Sequence, residues 1–381
     1  MADKYYGNIN EDTITSESDF PAPSLGVITL DSSTIYKIQG DVVITNKIDC
    51  NGATLLGRDR TLDKITSTQA ASEIFTGNGQ IIAKNLTFSI TGAGSKLFNL
   101  LGTTGFEYVF MQDCTFTSNS SLGTIENYYA VQFINIPNQA PAGGLTLTDI
   151  LNISLRYFDT SVGHTASTLL TLTGNSNLVQ IFGCAFGVGG GQTAIDITGL
   201  TLATYGEISA GSGFSGAGTY VTGTFSALWD VIARGLNRIS DSEARGACYV
   251  SSALATTIGT INVPVKVAGT TTLASTLRFT NGGSSNRLQY TGLKTVIKKI
   301  SAAISTVSAA SNKEYTWSIF KNGSLVVGSG IKRKQGTSTD VGALALDFLV
   351  SFDTNDYVEV WVANNTDTTA VTAQNLVLVV S

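Results

Sequence analysis

Short apolar segments recur along residues 26–209, and each is followed by Asn, Asp or Gly and then by two apolar residues separated by one position. The clearest copies are centred on Asn85, Asp113, Asn152 and Gly183. They lie roughly 30 to 40 residues apart, a spacing typical of repeat architectures, and a second short apolar strand follows each. One unit per coil predicts a parallel β-helix of about five coils over residues 26–209. The alternative is an ordinary β-sandwich, which would need long, strictly alternating strands that are scarce here.

Regular alternation of apolar and polar positions distinguishes residues 256–381. Tyr315, Trp317 and Ile319 fall on one strand face. Asn322-Gly323 supplies a two-residue hairpin turn, because both positions tolerate positive φ. Roughly eight or more strands in about 125 residues predict an antiparallel jelly-roll knob. The predicted fold class is therefore all-β, with a parallel β-helix followed by a C-terminal jelly roll.

Two segments fall outside these patterns. Residues 1–25 are polar and end with two prolines, which predicts an extended arm or anchor. Residues 210–255 begin with a glycine-rich stretch, and Ser226 is placed to cap a short helix. We interpret residues 210–255 as a neck between the β-helix and the knob.

Composition narrows the class of protein. Charged residues make up 13% and the chain has 40 glycines, which favours sheets covered by Thr, Ser and Asn over charged helices. The net charge of −5 argues against a nucleic-acid partner, because such a partner requires a basic face. Cys50, Cys114, Cys184 and Cys248 are far apart and form no CxxC pair, so we read them as reduced, buried side chains.

The N-terminus lacks the basic start and apolar run of a signal peptide, and no stretch has the length and apolar character of a membrane span. Stiff all-β chains rich in Gly, Ser and Thr are nevertheless typical of extracellular surfaces. A virus spike accounts for both properties, since it is made in the host cytoplasm and reaches the outside by lysis. The predicted location is therefore the virion surface, without membrane insertion.

Two regions resemble known viral folds. Residues 40–55 (GDVVITNKIDCNGATL) resemble the first coil of phage tailspikes and other right-handed β-helix proteins. Residues 286–292 (NRLQYTG), 315–323 (YTWSIFKNG) and 356–364 (DYVEVWVAN) resemble the jelly-roll knobs of phage fibres, which are similar to complement-globular and tumour-necrosis-factor-like trimers. The resemblance implies a right-handed body and a homotrimer. It places four aromatic residues either in the core, the favoured reading, or at the trimer interface: Tyr315, Trp317, Tyr357 and Trp361.

Patterns of catalysis and metal binding do not appear in the sequence. The one histidine, His164, lies in a turn-like stretch without a nucleophile motif, and we read it as an ordinary surface residue. No phosphate loop or metal-ligand spacing occurs, so we predict no cofactor, no metal and no catalytic residue.

Polysaccharide cleavage is the enzymatic alternative. It would need two carboxylates about 5 to 9.5 Å apart, on neighbouring coils. Asp113 occupies the position of Asn85 and Asn152 in other repeats, which indicates a turn. The acidic candidates look solitary: Glu107, Asp113, Glu126, Asp149, Asp159 and Asp196.

Glycan binding requires only aromatic platforms and polar donors, which this chain has in number. The basic segment Lys332-Arg333-Lys334 is suited to an acidic glycan, although a solvated strand edge that resists aggregation is its alternative role. Trp229 is a candidate platform. Several tyrosines are further candidates: Tyr128, Tyr129, Tyr157, Tyr205 and Tyr220.

We therefore predict a homotrimeric phage surface spike or fibre protein that binds rather than cleaves. Its arm would attach to other virion proteins, its β-helix would act as a rigid spacer, and its knob would trimerise and bind a host glycan or receptor. The alternatives are a tailspike polysaccharide depolymerase and a capsid decoration or head-fibre protein.

Overall fold

A computed structural model of the chain describes residues 10–118, 121–139, 141–160, 163–226, 228–233, 244–292 and 294–381. The chain divides into two compact units, residues 1–239 and 240–381. Both are built of strands, and the described part of the first unit adds a single 3₁₀ turn, η1 (Glu17–Asp19). No helix in the described ranges has the length and apolar character that a bilayer crossing requires.

The described residues of the first unit form 24 strands. The first twelve are β1 (Asn10–Ile14), β2 (Val27–Thr29), β3 (Thr34–Ile38), β4 (Asp41–Ile44), β5 (Lys47–Asp49), β6 (Thr54–Leu56), β7 (Lys64–Ser67), β8 (Glu73–Gly77), β9 (Ile81–Lys84), β10 (Thr87–Ile90), β11 (Lys96–Leu101) and β12 (Tyr108–Gln112). The other twelve are β13 (Thr115–Ser118), β14 (Ser121–Glu126), β15 (Ala130–Gln139), β16 (Gly143–Thr148), β17 (Asn152–Thr160), β18 (Thr168–Phe182), β19 (Ala185–Val188), β20 (Thr193–Asp196), β21 (Leu200–Ile208), β22 (Gly213–Gly216), β23 (Thr219–Thr222) and β24 (Trp229–Val231).

These strands pair in parallel with strands of the preceding and following coils, so the first unit is a parallel β-solenoid. One side is the ladder β2–β5–β8–β11–β14–β16–β18–β20–β23, which gives about nine turns. A second side, here called the site ladder, is β1–β3–β6–β9–β12–β15–β17–β18–β21–β24. The predicted parallel coils are confirmed, but the sequence underestimates their number.

Left-handed residues turn the chain at equivalent positions of successive coils. Their φ values lie between 54° and 64°, and they are Asn85, Asp113, Asn135, Tyr157 and Gly183. Asn, Asp and Gly tolerate this conformation best, which explains why such residues end the apolar runs. Asp113 does have a turn role, but its counterparts in the adjacent coils are Asn85 and Asn135. Asn152 instead begins β17, so the predicted alignment of Asn152 with Asp113 is wrong.

Phenylalanine rings from successive coils fill the interior of the solenoid. Phe133 stacks on Phe98 at 6.0 Å and on Phe158 at 6.3 Å between ring centroids. Phe116 meets Phe133 edge-on at 5.5 Å. All four side chains are fully buried. Because each coil packs its rings on those of the next, one apolar core runs continuously along the unit.

The solenoid extends further at both ends than the sequence predicts. β1 pairs with β3, so residues 10–14 form part of a coil and not an extended arm. At the other end β22, β23 and β24 pair with β19, β20 and β21, which carries the coils to Val231. The predicted boundaries at residues 26 and 209 are corrected accordingly. Residues 1–9 of the arm and 234–243 of the neck lie outside the described residues.

The predicted neck helix is also corrected, because Trp229–Val231 is the strand β24. Trp229 and Val231 are buried, and Asp230 between them is half-buried. This alternation at every second residue is typical of a strand. Trp229 packs on Phe225, with ring centroids 5.0 Å apart, and covers the backbone of Gly206. Only 3% of its surface is exposed, so Trp229 is not an available glycan platform.

The second unit contains thirteen further strands among its described residues. They are β25 (Arg245–Ala253), β26 (Ala255–Thr256), β27 (Val265–Lys266), β28 (Gly269–Leu277), β29 (Phe279–Thr280), β30 (Leu288–Tyr290), β31 (Val296–Ser308), β32 (Lys313–Lys321), β33 (Ser324–Leu325), β34 (Ile331–Gln335), β35 (Gly342–Phe352), β36 (Tyr357–Asn364) and β37 (Val371–Val380).

Two antiparallel sheets enclose the core of this unit. One has the order β28-β25-β37-β31-β35, and the other has β29-β30-β36-β32, with β34 and β33 paired to β32 and β27 paired to β36. The antiparallel C-terminal sheets are thereby confirmed. Tyr315 and Trp317 are fully buried in the core. Among the described residues, the four cysteines of the chain are buried free thiols.

Candidate functional site

The outer face of the sheet that contains β36 brings together most of the residues singled out in the second unit. Along β36, Val358, Val360 and Val362 are buried in the core, so Tyr357, Glu359 and Trp361 project from the other side. We call this surface the basic aromatic face. Its members are Lys266, Arg287, Glu314, Phe320, Lys332, Lys334, Tyr357, Glu359 and Trp361.

Aromatic rings lie at the centre of the basic aromatic face. Phe320 lies opposite Glu359 in the register, and its ring stacks on Trp361 with centroids 4.4 Å apart and planes inclined by 10°. The guanidinium carbon of Arg287 lies 3.7 Å from the centroid of the Tyr357 ring. Tyr357 and Trp361 are therefore half-buried rings on an outer face, whereas Tyr315 and Trp317 on β32 point into the core.

Glu359 anchors two cations beside these rings. Its carboxylate accepts hydrogen bonds from Lys266 at 2.6 Å, from Arg287 at 2.8 Å and from the indole nitrogen of Trp361 at 3.0 Å. Burial raises the pKa of Glu359, but the hydrogen bonds from Lys266, Trp361 and Arg287 outweigh it, so the pKa lies below its ordinary value. Because the carboxylate of Glu359 is paired with both Lys266 and Arg287, this cluster has a net positive charge.

The basic segment predicted from the sequence lies on β34, which among the described strands pairs only with β32. Lys332 lies opposite Thr316 and forms an exposed ion pair with Glu314 at 3.2 Å. Lys334 lies opposite Glu314 on the same face. Arg333 lies opposite Tyr315, so its side chain alternates to the other side and does not join the basic aromatic face.

The register of the coils places no acidic residue directly opposite Glu126, Asp159 or Asp196. The in-register neighbours of Glu126 are Leu101 and Thr148, and those of Asp196 are Thr171 and Thr222. Glu107 instead accepts backbone hydrogen bonds from the turn at residues 103–106. No group of three or more His, Cys, Asp or Glu side chains within the described ranges is arranged to hold a metal.

The sequence reasoning missed one carboxylate pair, Glu207 and Asp230. Glu207 on β21 lies directly opposite Asp230 on β24, and both project from the outer side of the site ladder. Neighbouring strands lie about 4.8 Å apart, so the two side chains start from adjacent positions. The alternation of residues 229–231 is typical of a strand and would have placed Asp230 on the outer side of a coil. The interpretation of this segment as a helical neck led to a different prediction.

His164 is buried, with 4% of its surface exposed, which corrects its interpretation as a surface residue. Its Nδ1 lies 2.9 Å from the carbonyl oxygen of Ala166, and burial lowers its pKa. Tyr128 and Tyr220 are buried as well, so neither offers a glycan platform. Tyr129 and Tyr157 are exposed.

Comparison with known proteins gives limited matches. No protein-family model matches the chain, and no curated protein matches it. Among solved structures, it matches the crystal structure of the enzymatically active domain of tailspike protein 4 from bacteriophage CBA120, with 9% sequence identity and a TM-score of 0.20. The match covers 92% of this chain and 64% of the other chain. The class that the fold itself defines is a parallel β-solenoid joined in sequence to an antiparallel β unit.

Proposed function

We propose that this chain is a phage surface spike or fibre protein that attaches to its host by binding an acidic surface glycan on the basic aromatic face. The observation that carries the proposal is the half-buried ring of Trp361, which is stacked on the buried Phe320 and lies beside the cations of Lys266 and Arg287. Aromatic faces suit the apolar side of a sugar ring, and paired cations suit its carboxylate. The face is basic although the whole chain carries a net charge of −5.

Binding of acidic polysaccharides tests this proposal. Exchange of both Lys332 and Lys334 for Ala should weaken binding of polygalacturonate, hyaluronan or polysialic acid about tenfold at low salt, because two exposed cations are removed. The difference should shrink as salt is added. Isothermal titration of the full chain measures both effects, with dextran as the neutral polymer.

A variant with Ala at both Lys37 and Lys47 is the matched control, since it removes two solenoid cations that pair with Glu11 and Glu73. It should bind the acidic polymers as the unchanged chain does. Equal weakening in both variants, or no binding of any acidic polymer by the unchanged chain, would contradict the proposal.

We further propose that the second unit is a jelly-roll knob that drives trimerisation. The two sheets have the strand orders β28-β25-β37-β31-β35 and β29-β30-β36-β32-β34. In both sheets, strands that are far apart in the sequence lie side by side, which supports a jelly roll. Support for self-association comes from an exposed row on the first sheet, Tyr249, Val377, Ala303 and Ala345, which carries no charge. Light scattering should give about three times the chain mass of 39.9 kDa, and a monomer would refute the trimer.

Location on the virion separates the attachment role from that of a capsid decoration or head-fibre protein. We propose a position at the host-facing end of the particle, with the N-terminal segment attached to other virion proteins. Labelling of particles with antibodies against the second unit, viewed by electron microscopy, should mark the tail or the vertex. Labelling spread evenly over the capsid would favour the decoration role.

The second candidate function is a polysaccharide depolymerase, and the pair Glu207 and Asp230 favours it. Hydrolysis needs one carboxyl group to protonate the glycosidic oxygen and a second to activate water or attack the sugar. Incubation with host polysaccharide would then shorten the polymer, and Glu207→Gln would stop the shortening. Unchanged polymer length after prolonged incubation would exclude this activity for that polymer.

A further inference from the structure

A depression of about 220 Å³ lies on the outer surface of the solenoid, on the site ladder. Its lining side chains are Arg156, Gln180, Phe182 and Glu207. They come from β17, β18 and β21, three strands that are neighbours in this ladder. Arg156 lies opposite Phe182, and Gln180 lies opposite Glu207, so the register of the coils assembles the site.

One lining side chain, Phe182, is an aromatic ring open to solvent, and a second exposed ring, Tyr157, packs against it from outside the lining. Phe182 is 45% exposed and Tyr157 is 55% exposed. Their rings meet edge-to-face, with centroids 6.3 Å apart and an interplanar angle of 89°. Each ring therefore supports the other and still presents apolar surface to water.

Tyr157 adopts a backbone conformation that a bulky side chain rarely takes. Its φ is 54°, at the coil position where Asn85, Asp113, Asn135 and Gly183 occur in the other coils. A non-glycine residue held in this region costs about 1 to 3 kcal/mol, and such strain clusters at binding sites. Asn would meet the same backbone requirement with less strain, so stability alone does not explain a tyrosine here.

Gly183 in the next coil completes the arrangement. A Cβ atom at Gly183 would come within 2.7 Å of the Tyr157 ring, so the absence of a side chain allows the ring to approach the backbone closely. The ring is thus held beside Phe182 by its own backbone and by the following coil. A fixed aromatic platform loses little entropy when a ligand binds.

We infer that this depression is a second, independent carbohydrate site, which binds a neutral sugar unit. Phe182, held in place by Tyr157, contacts the apolar face of the sugar ring, and Arg156, Gln180 and Glu207 hydrogen-bond to its hydroxyl groups. The volume is below that of sites for drug-sized ligands, which start at about 300 Å³, and fits a small unit of a longer chain. The charges of Arg156 and Glu207 offset each other, and Asp230 lies beside Glu207, so an acidic sugar is not favoured here.

The test is binding of neutral glucan, galactan and mannan oligosaccharides to the full chain, measured by isothermal titration and by saturation-transfer NMR. The unchanged chain should bind at least one of them, and Phe182→Ala should weaken that binding about tenfold. Phe110→Ala is the matched control, because Phe110 is a partly exposed ring on the same ladder but outside the depression. It should leave the affinity unchanged.

Tyr157→Asn separates a binding role from a structural one. Asn restores the residue type of the neighbouring coils, so this variant should be at least as stable as the unchanged chain while its sugar affinity falls. Lys332→Ala with Lys334→Ala should leave the neutral-sugar affinity intact, and Phe182→Ala should leave the acidic-polymer affinity intact. No binding of any neutral oligosaccharide, or equal binding by the unchanged chain and by Phe182→Ala, would overturn the inference without affecting the basic aromatic face.

Discussion

Replacement of Phe133 by Ala should destabilise the solenoid by about 3 to 5 kcal/mol, the range for loss of a buried phenylalanine. Phe133 is fully buried and contacts Phe98, Phe116 and Phe158, which come from other strands of the solenoid. Removal of the ring leaves a cavity in a stack that continues on both sides, so neighbouring coils cannot collapse into it without losing their own contacts. Urea unfolding followed by circular dichroism measures the loss.

Phe106→Ala is the control for this prediction, because Phe106 is 76% exposed and its removal should change the free energy of unfolding by less than about 0.5 kcal/mol. Phe133→Leu should cost less than Phe133→Ala, because it leaves a smaller cavity, and it keeps the prediction measurable if the alanine variant does not fold. Similar losses for Phe133→Ala and Phe106→Ala would show that the stack does not hold the coils together.

Gly123→Ala should cost about 3 kcal/mol or more, although it adds one methyl group. Gly123 lies on β14 with a φ of 96°, and an added Cβ atom would stand 2.0 Å from the carbonyl oxygen of Phe98 in the preceding coil. That oxygen belongs to the backbone of β11, so it cannot move aside without breaking the ladder. Thermal unfolding with calorimetry measures the effect.

The control for Gly123 is Gly213→Ala. Gly213 also lies in a solenoid strand, β22, but its φ is outside the left-handed region and an added Cβ atom meets nothing within 4 Å. This variant should stay within about 0.5 kcal/mol of the unchanged chain. If both alanine variants unfold at the same temperature, close approach of the coils at Gly123 is not the reason for its glycine.

The number of coils could not be predicted from the local sequence pattern alone. Turns at Asn85 and Asp113 interrupt the apolar pattern and were recognised. Asn135 lies inside the long strand β15, where the buried positions shift from Val131 and Phe133 to Ile136. The apolar run continues through this shift without a Gly or a cluster of turn residues, so the sequence pattern did not mark a separate coil.

The basic aromatic face was predictable in its parts but not in its assembly. Alternation along β36 places Tyr357 and Trp361 on one face, and the basic run on β34 is evident in the sequence. Lys266 and Arg287 were not singled out, because they reach Glu359 only through strands that are distant in the sequence. The long-range pairing of the sheet decides which cations surround that carboxylate.

The sequence by itself determined that the chain is all-β and that it contains two kinds of β architecture. Short runs ended by Asn, Asp or Gly specify coils, and strict alternation specifies antiparallel strands, because turn tolerance and side-chain direction are local properties. Only the tertiary structure decided which residues of different coils meet. The contacts of Tyr157 with Gly183 and of Glu207 with Asp230 depend on coil length and register, which are fixed by the closure of each coil and by the stacking of rings across the whole solenoid.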